Sequence, residues 1–250
     1  RLGDNPFLRK ADAGYEKRLK LLSPADRKAL LNGVWELNEG QYFSEFSRDL
    51  HVVKPYAIPH DWRRCLTIDY GLDMLAALWI AQSPDGHSVV YRELYRPGLI
   101  ISDAAAQMLA CETAGERIDC RLAPPDLWNR RQETGRSAVE LFADSGLDFV
   151  KSSNERVAGW LALHELLMPR KDTDGAVRPR LTIFDTCRNL IRTLPALQHD
   201  KRNPSDTANT PHELTHAPDA LRGYAATVYE PVKAVPQSAY DCEVGEFLMF

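Results

Sequence analysis

The sequence predicts an α/β protein built on a sheet of mixed strand direction, and two features of its order carry that reading. Three strand-like apolar runs come first: Cys65 to Asp69, Met74 to Ala81 and His87 to Tyr95. After them, strand-like and helix-like segments alternate to the end of the chain. A meander followed by alternation suits a mixed sheet with helices against it better than a doubly wound parallel one. With 250 residues, 44% hydrophobic and 26% charged, the chain has ordinary globular composition and enough length to bury a large core. Collagen-like, coiled-coil and wholly disordered chains are excluded.

Residues 1 to about 50 read as a charged helical segment, with Tyr15, Leu19, Leu22, Leu30, Leu31 and Trp35 at roughly helical spacing. Ser23-Pro24 can close one helix and open the next. Pro55 and Pro59 make Lys54 to Trp62 an extended linker. In the meander, Ser83 to Gly86 supplies the turn before the third strand. Ser102 is the expected cap of a helix from Asp103 to about Ala114, with Ala105, Met108 and Leu109 inward. Ile118 to Leu122 forms a fourth strand, ended by Ala-Pro-Pro-Asp. Ser137 to Ser145 is a short helix and Leu147 to Val150 a fifth strand. Asn154 to Met168 is an amphipathic helix with Val157, Trp160, Leu161, His164, Leu167 and Met168 along one side. Leu181 to Phe184 is a strand and Thr186 to Leu194 a short helix. Gln198 to Pro211 is a polar loop, and Ala217 to Tyr229 a last helix.

Several function classes drop out. The chain has no G-x-x-x-x-G-K-S/T and no G-x-G-x-x-G after a strand, so it carries no recognisable phosphate loop. It has no G-x-S-x-G elbow and no H-E-x-x-H. Five cysteines without a C-x-x-C pair argue against a disulfide framework and a zinc ribbon, and fit a reducing cytoplasm. The longest apolar run, Met74 to Ala81, is far short of the ~20 residues of a membrane helix. No signal peptide is visible. The chain starts at Arg1 rather than Met and is read as a fragment or trimmed piece. Its net charge of −4 is mild evidence against nucleic-acid binding, although basic pairs cluster locally.

The informative residues are carboxylates at element ends. Asp69 ends a strand beside Gly71, Asp126 follows the fourth strand, and Asp219 stands in the first turn of the last helix. Such positions can point three acids into one cleft. Three carboxylates can hold two hard divalent cations through oxygen ligands, and such a pair supports phosphodiester hydrolysis. Most of the 35 acidic residues serve only as surface charge, so spacing alone does not decide the matter.

At these residues the sequence resembles the C-terminal half of a tailed-phage or prophage terminase large subunit. The segment from Asp4 to Phe46 resembles the end of that family's ATPase region and its linker, and HVVKPYAIPHDW the lead into its nuclease domain. LTIDYG, VYRELYRPG, APPDLWNRR, LTIFDTCRNLIRTLP, NPSDT and HAPDALRGY then follow in the family's order, from residue 66 to residue 224. The resemblance implies an ATPase tail and linker over 1–55 and an RNase H-like nuclease domain over 56–250, a mixed sheet with helices on both sides. It implies a Mg²⁺ or Mn²⁺ endonuclease using two ions on concatemeric double-stranded DNA. Asp69 matches the family's first-strand acid and Asp219 the acid on its last helix. Asp126 is the nearest match to the second acid, displaced by two positions because Pro124-Pro125 stands where many members have Asp-Pro. Asp119 is the alternative. His216 and Asp73 are candidate outer groups beside these ligands.

Arg130, Arg131, Arg188, Arg192, Lys201 and Arg202 are candidate phosphate contacts. Family resemblance further implies the small terminase subunit and the capsid portal as partners, no membrane, and action in the bacterial host cytoplasm. The alternative function is a DNA- and portal-docking module with little or no nuclease activity. A resolvase or transposase on the same fold would have no reason to carry the leader before Trp62.

Overall fold

A computed structural model describes residues 40–171 and 175–228. The helices expected before residue 40, and the end of the last one beyond residue 228, lie outside the described residues. Among the described residues no helix is long and apolar enough to cross a membrane.

Seven strands form one mixed sheet. In chain order they are β1 (Val52–Val53), β2 (Arg63–Tyr70), β3 (Leu75–Gln82), β4 (Ser88–Arg96), β5 (Cys120–Ala123), β6 (Val150–Lys151) and β9 (Leu181–Phe184). Their spatial order is β1-β9-β4-β3-β2-β5-β6. The β2–β3–β4 meander is antiparallel; β5 and β6 add in parallel on one side, β9 and β1 on the other. The mixed sheet expected from the order of segments is therefore present. A separate two-stranded ribbon joins β7 (Arg170–Lys171) to β8 (Val177–Arg178).

Each central strand divides its side chains between two cores, as its alternation requires. On one face Cys65, Ala76, Leu78, Ile80 and Val90 pack with helices α4 (Arg156–Leu167), α5 (Arg188–Thr193) and α6 (His216–Val228). On the other, Leu66, Ile68, Leu75, Ala77 and Trp79 pack with α2 (Ile101–Cys111) and α3 (Ala138–Asp144). Burial on both faces explains the near-continuous apolar run of β3. The short α1 (Arg48–His51) leads into β1. Just before it, Tyr42, Phe43 and Phe46 sit in the first core, with the Tyr42 and Phe43 rings against Trp160 and His164 of α4.

Three expectations need correction. Ser102 does not cap α2: the helix starts two residues earlier, after Ile100, without a side-chain cap. Its inward face holds Ile101, Ala104, Ala105 and Met108, while Leu109 faces out. The buried face of α4 is also rotated, to Gly159, Trp160, Ala162, Leu163, Leu166 and Leu167, leaving Leu161 and Met168 exposed. Small residues cause that rotation. Gly159 meets α6, and a Cβ there would lie 2.7 Å from Arg222 Cγ and 3.1 Å from Ala226 Cβ. By contrast α3 falls where a short helix was expected, and Ser137 caps it in a full capping box with Glu140.

Gly→Ala inside a helix ordinarily stabilises by about 1 kcal/mol. Gly159→Ala is expected to reverse that sign and lower stability by about 1–3 kcal/mol, since Arg222 is pinned and cannot yield freely. Urea denaturation checks it; a stabilised variant would show that α4 and α6 can separate without loss.

Candidate metal centre

The site lies where three element ends meet. Cys65 and Thr67 of β2 point to the α6 face, so parity puts Asp69 on that face too, at the strand's C-terminal end. Tyr70, one residue on, faces the opposite core and packs on Phe142. Thr67 Oγ1 donates to the Ala220 carbonyl at 2.8 Å and fixes α6 across β2. Near that same end stand His216 and Asp219, in the first turn of α6. Parallel β5 runs beside β2, and a 3₁₀ turn over Pro125–Trp128 follows it, carrying Asp126.

Asp69 is the centre of the cluster. Burial pushes its carboxyl above the usual carboxylate value, the charges of Asp219 and Asp126 push the same way, and a hydrogen bond with His216 opposes them. Asp69 thus sits within electrostatic reach of both other sequence-predicted acids. His216 Nδ1 donates to Asp69 Oδ2 at 2.9 Å, and its Nε2 lies 3.4 Å from Asp73 Oδ2. The hydrogen bond to Asp69 raises the His216 imidazole above its ordinary value. Gly71 has a physical reason here: a Cβ at that position would collide with Asp73 Oδ1.

Asp219 is held by two cations. Arg156 Nη1 and Arg222 Nε both reach its Oδ1 at 3.0 Å. Arg156 also binds Asp206 through Nε, at 2.8 and 3.0 Å, and donates to Thr207 and Asn209. Trp160 Nε1 adds a 2.9 Å bond to Asp206. The polar loop from Gln198 to Pro211 is therefore fastened to α4 and α6 and is not merely a solvated connection. Sequence reasoning missed Arg156, Arg222 and His212. Only Asp206, inside NPSDT, had a sequence signal, and nothing local pointed to its partner.

Asp119 does not join the cluster. It precedes β5, accepts from the Arg64 backbone at 2.9 Å and pairs with Arg117 at 2.8 Å. Arg64 is five residues from Asp69 along β2, a run of about 16 Å.

The basic candidates are dispersed. Arg131 lines a cavity of about 420 Å³ with Tyr70, Leu72, Ile100 and Leu141, and its charge reaches Tyr70, the neighbour of Asp69. Arg192 acts on Tyr95, which also feels Asp69 and donates to the Glu213 carbonyl at 3.1 Å. Arg192 therefore lies on the side of the acids, whereas Arg131 lies with Tyr70 on the opposite face of the sheet. Arg188 shares the exposed side of α5 with Arg192, and Glu93 caps that helix through the Asn189 and Leu190 amides. Exposed Arg130 pairs with Glu140 at 3.4 Å. Lys201 and Arg202 are exposed in the loop, whose turn is set by Asp200 accepting from the Arg202 and Asn203 amides.

No protein-family model and no curated protein matches the chain. Among solved structures it is similar to the large terminase of a thermophilic bacteriophage in complex with ADP, with 15% identity and a TM-score of 0.60, over 87% of this chain and 52% of that one. It is similar to the P22 large terminase nuclease domain at 16% identity and a TM-score of 0.59, over 76% of this chain and 92% of that domain. The large terminase nuclease of thermophilic phage G20c, solved with bound magnesium, gives 14% identity and a TM-score of 0.50, over 77% and 100%. The chain thus spans about half the length of the ADP-bound large terminase. What is shared is the fold: the seven-stranded mixed sheet flanked by helices is that of the terminase nuclease domain, the RNase H-like fold expected from the motifs.

Because His216 is raised, its contribution to stability is complete below about pH 6.5, the ordinary imidazole value, and fades as pH rises through its higher folded value. The melting-temperature difference between wild type and His216→Gln should be largest below that pH and shrink above it. Taking the difference removes other titrations, such as that of His87, which burial lowers. A difference that grows with pH would contradict the Asp69–His216 pairing.

Proposed function

We propose that the chain is the nuclease part of a phage or prophage terminase large subunit, a divalent-metal-dependent endonuclease acting on double-stranded DNA. The observation that carries this reading is the gathering of Asp69, Asp126 and Asp219 at one end of a sheet with the terminase-nuclease fold. Of the two candidates for the second acid, Asp126 is favoured over Asp119, because only Asp126 acts on Asp69.

The donors fit hard cations. All three are carboxylates, which suit Mg²⁺ or Mn²⁺, and a cation would offset the burial and the neighbouring Asp219 and Asp126 charges that disfavour ionised Asp69. Both arginines approach Asp219 through Oδ1, which leaves Oδ2 as the oxygen to offer. Held by Asp69, Asp126 and Asp219, two divalent ions would supply an activated water and stabilise the leaving oxygen in phosphodiester hydrolysis. The chain's own residues do the positioning. His216 holds Asp69 through its Nδ1–H, Arg156 and Arg222 fix Asp219, and Arg192 stands on the acids' side where phosphates would pass, with Arg131 a further candidate contact on the Tyr70 side. Arg130, Arg188, Lys201 and Arg202 extend that contact surface. The parent protein would act in the bacterial cytoplasm, with an ATPase half, the small terminase subunit and the capsid portal as partners.

Nicking of supercoiled plasmid with Mn²⁺, Mg²⁺ or EDTA tests the reading. Metal-dependent cutting is expected from wild type and none from Asp69→Ala, with His216→Ala lowered about 10–100-fold as an outer partner of a ligand. Cutting that survives Asp69→Ala would place the chemistry elsewhere. The docking-module reading has its own support in the double arginine grip on Asp219 and in Pro124-Pro125; salt-sensitive DNA binding without cutting under any metal would favour it.

Phosphate contacts are separable from chemistry. Arg131→Ala and Arg192→Ala should each flatten the slope of log affinity against log salt by about 1. An unchanged slope in fluorescence-anisotropy titrations would remove that residue from the DNA surface.

A further inference from the structure

The geometry points to a second kind of metal site beside the three acids: Asp73, His212 and His216 form a zinc-class site with two imidazoles and one carboxylate. Their ligand atoms all lie within 4.8 Å of one another. Two of the separations are close to what such a site needs. His212 Nδ1 lies 3.2 Å and His216 Nε2 lies 3.4 Å from Asp73 Oδ2. Bonds of 2.0–2.1 Å in a tetrahedron imply donor separations of about 3.3 Å. The third separation lies within 4.8 Å, and His212, with 67% of its side chain exposed, has room to adjust. The two imidazole rings already meet edge to face, with centroids 4.5 Å apart.

Orientation supports the assignment independently of distance. A metal-ligating histidine usually gives its other ring N–H to a carboxylate. His216 has that arrangement: its Nδ1 bonds Asp69 Oδ2, and in the neutral ring Nε2 would then present its lone pair toward Asp73. Asp73 Oδ1 lies beside Gly71, and its Oδ2 is turned to both histidines. Three acceptors converge on one point, and three protein donors leave a fourth position for water. Imidazole donors select zinc-class ions over magnesium, so this site differs in preference from the three carboxylates. A bound ion would clip the β2–β3 turn, the 3₁₀ turn at His212–Leu214 and the start of α6 together. None of this requires that the chain cut DNA.

The test is a titration of the full chain, free of any histidine tag, with Co²⁺, read by visible absorption, followed by displacement with Zn²⁺. Wild type should develop the intense bands of four-coordinate Co²⁺ and lose them to Zn²⁺. Asp126→Asn should keep them, whereas His212→Ala and Asp73→Asn should lose them, with affinity at this site falling roughly tenfold or more. Far-UV circular dichroism confirms folding, and the exposure of His212 makes His212→Ala the safer variant. Weak six-coordinate bands alone in wild type, or intense bands that survive His212→Ala, would overturn the site. Loss of the bands in Asp126→Asn would assign them to the carboxylate cluster instead and overturn it equally.

Discussion

Strand parity along β2 is the constraint on which the site depends. Side chains alternate between two buried faces, so a slip of one residue would exchange Asp69 with Ile68 or Tyr70 and bury the carboxylate among Leu75, Trp79 and Phe142. Two interactions hold the register. β2 pairs with β3 along its whole length, from Arg63 opposite Gln82 to Tyr70 opposite Leu75. Thr67, two residues before Asp69 on the same face, is tied to the Ala220 carbonyl and sets the axial position of α6. Asp219 and His216 then arrive beside Asp69 because they lie less than two turns before Ala220.

The cost of this arrangement is electrostatic. Burial and the charges of Asp219 and Asp126 oppose ionisation of Asp69, and the fold answers with cations from two helices. Arg156 of α4 and Arg222 of α6 grip Asp219, and both guanidiniums lie over the Trp160 ring, at 5.4 and 5.3 Å from its centroid. Arg156 also spans Asp219 and Asp206, so one side chain couples the site to the 198–211 loop. An indole beneath two guanidiniums and beside a carboxylate makes Trp160 both a core residue and part of the charge network.

Much of this was legible in the sequence, for reasons that differ between elements. β2, β3, β4 and β9 are apolar runs bounded by turn residues, and they fall within a residue or two of their expected limits. Asp69 and Asp219 were legible because element ends are where side chains leave the core. The face of α4 was not, since its closest contact is made by Gly159, which an apolar-stripe reading ignores. Arg156 was invisible for a related reason. Its partners lie 50 to 63 residues away, at Asp206 and Asp219, and no local spacing encodes an ion pair that forms only after three elements pack.

Asp126, the proposed second acid, depends on how loosely the chain is held past a strand end. Inside β2 a shift of one residue would move a carboxylate to the wrong core. Past the end of β5 the rule is looser, because no ladder holds the chain there. Pro124 is extended, with φ −64° and ψ 144°, and Pro125 opens a 3₁₀ turn that its missing N–H does not weaken. That turn carries Asp126 where its charge acts on Asp69. Asp119 lies at the other end of the same strand, beside Arg64, and no turn chemistry could bring it across. Position relative to a strand end, rather than position in the sequence, decides which acid can serve.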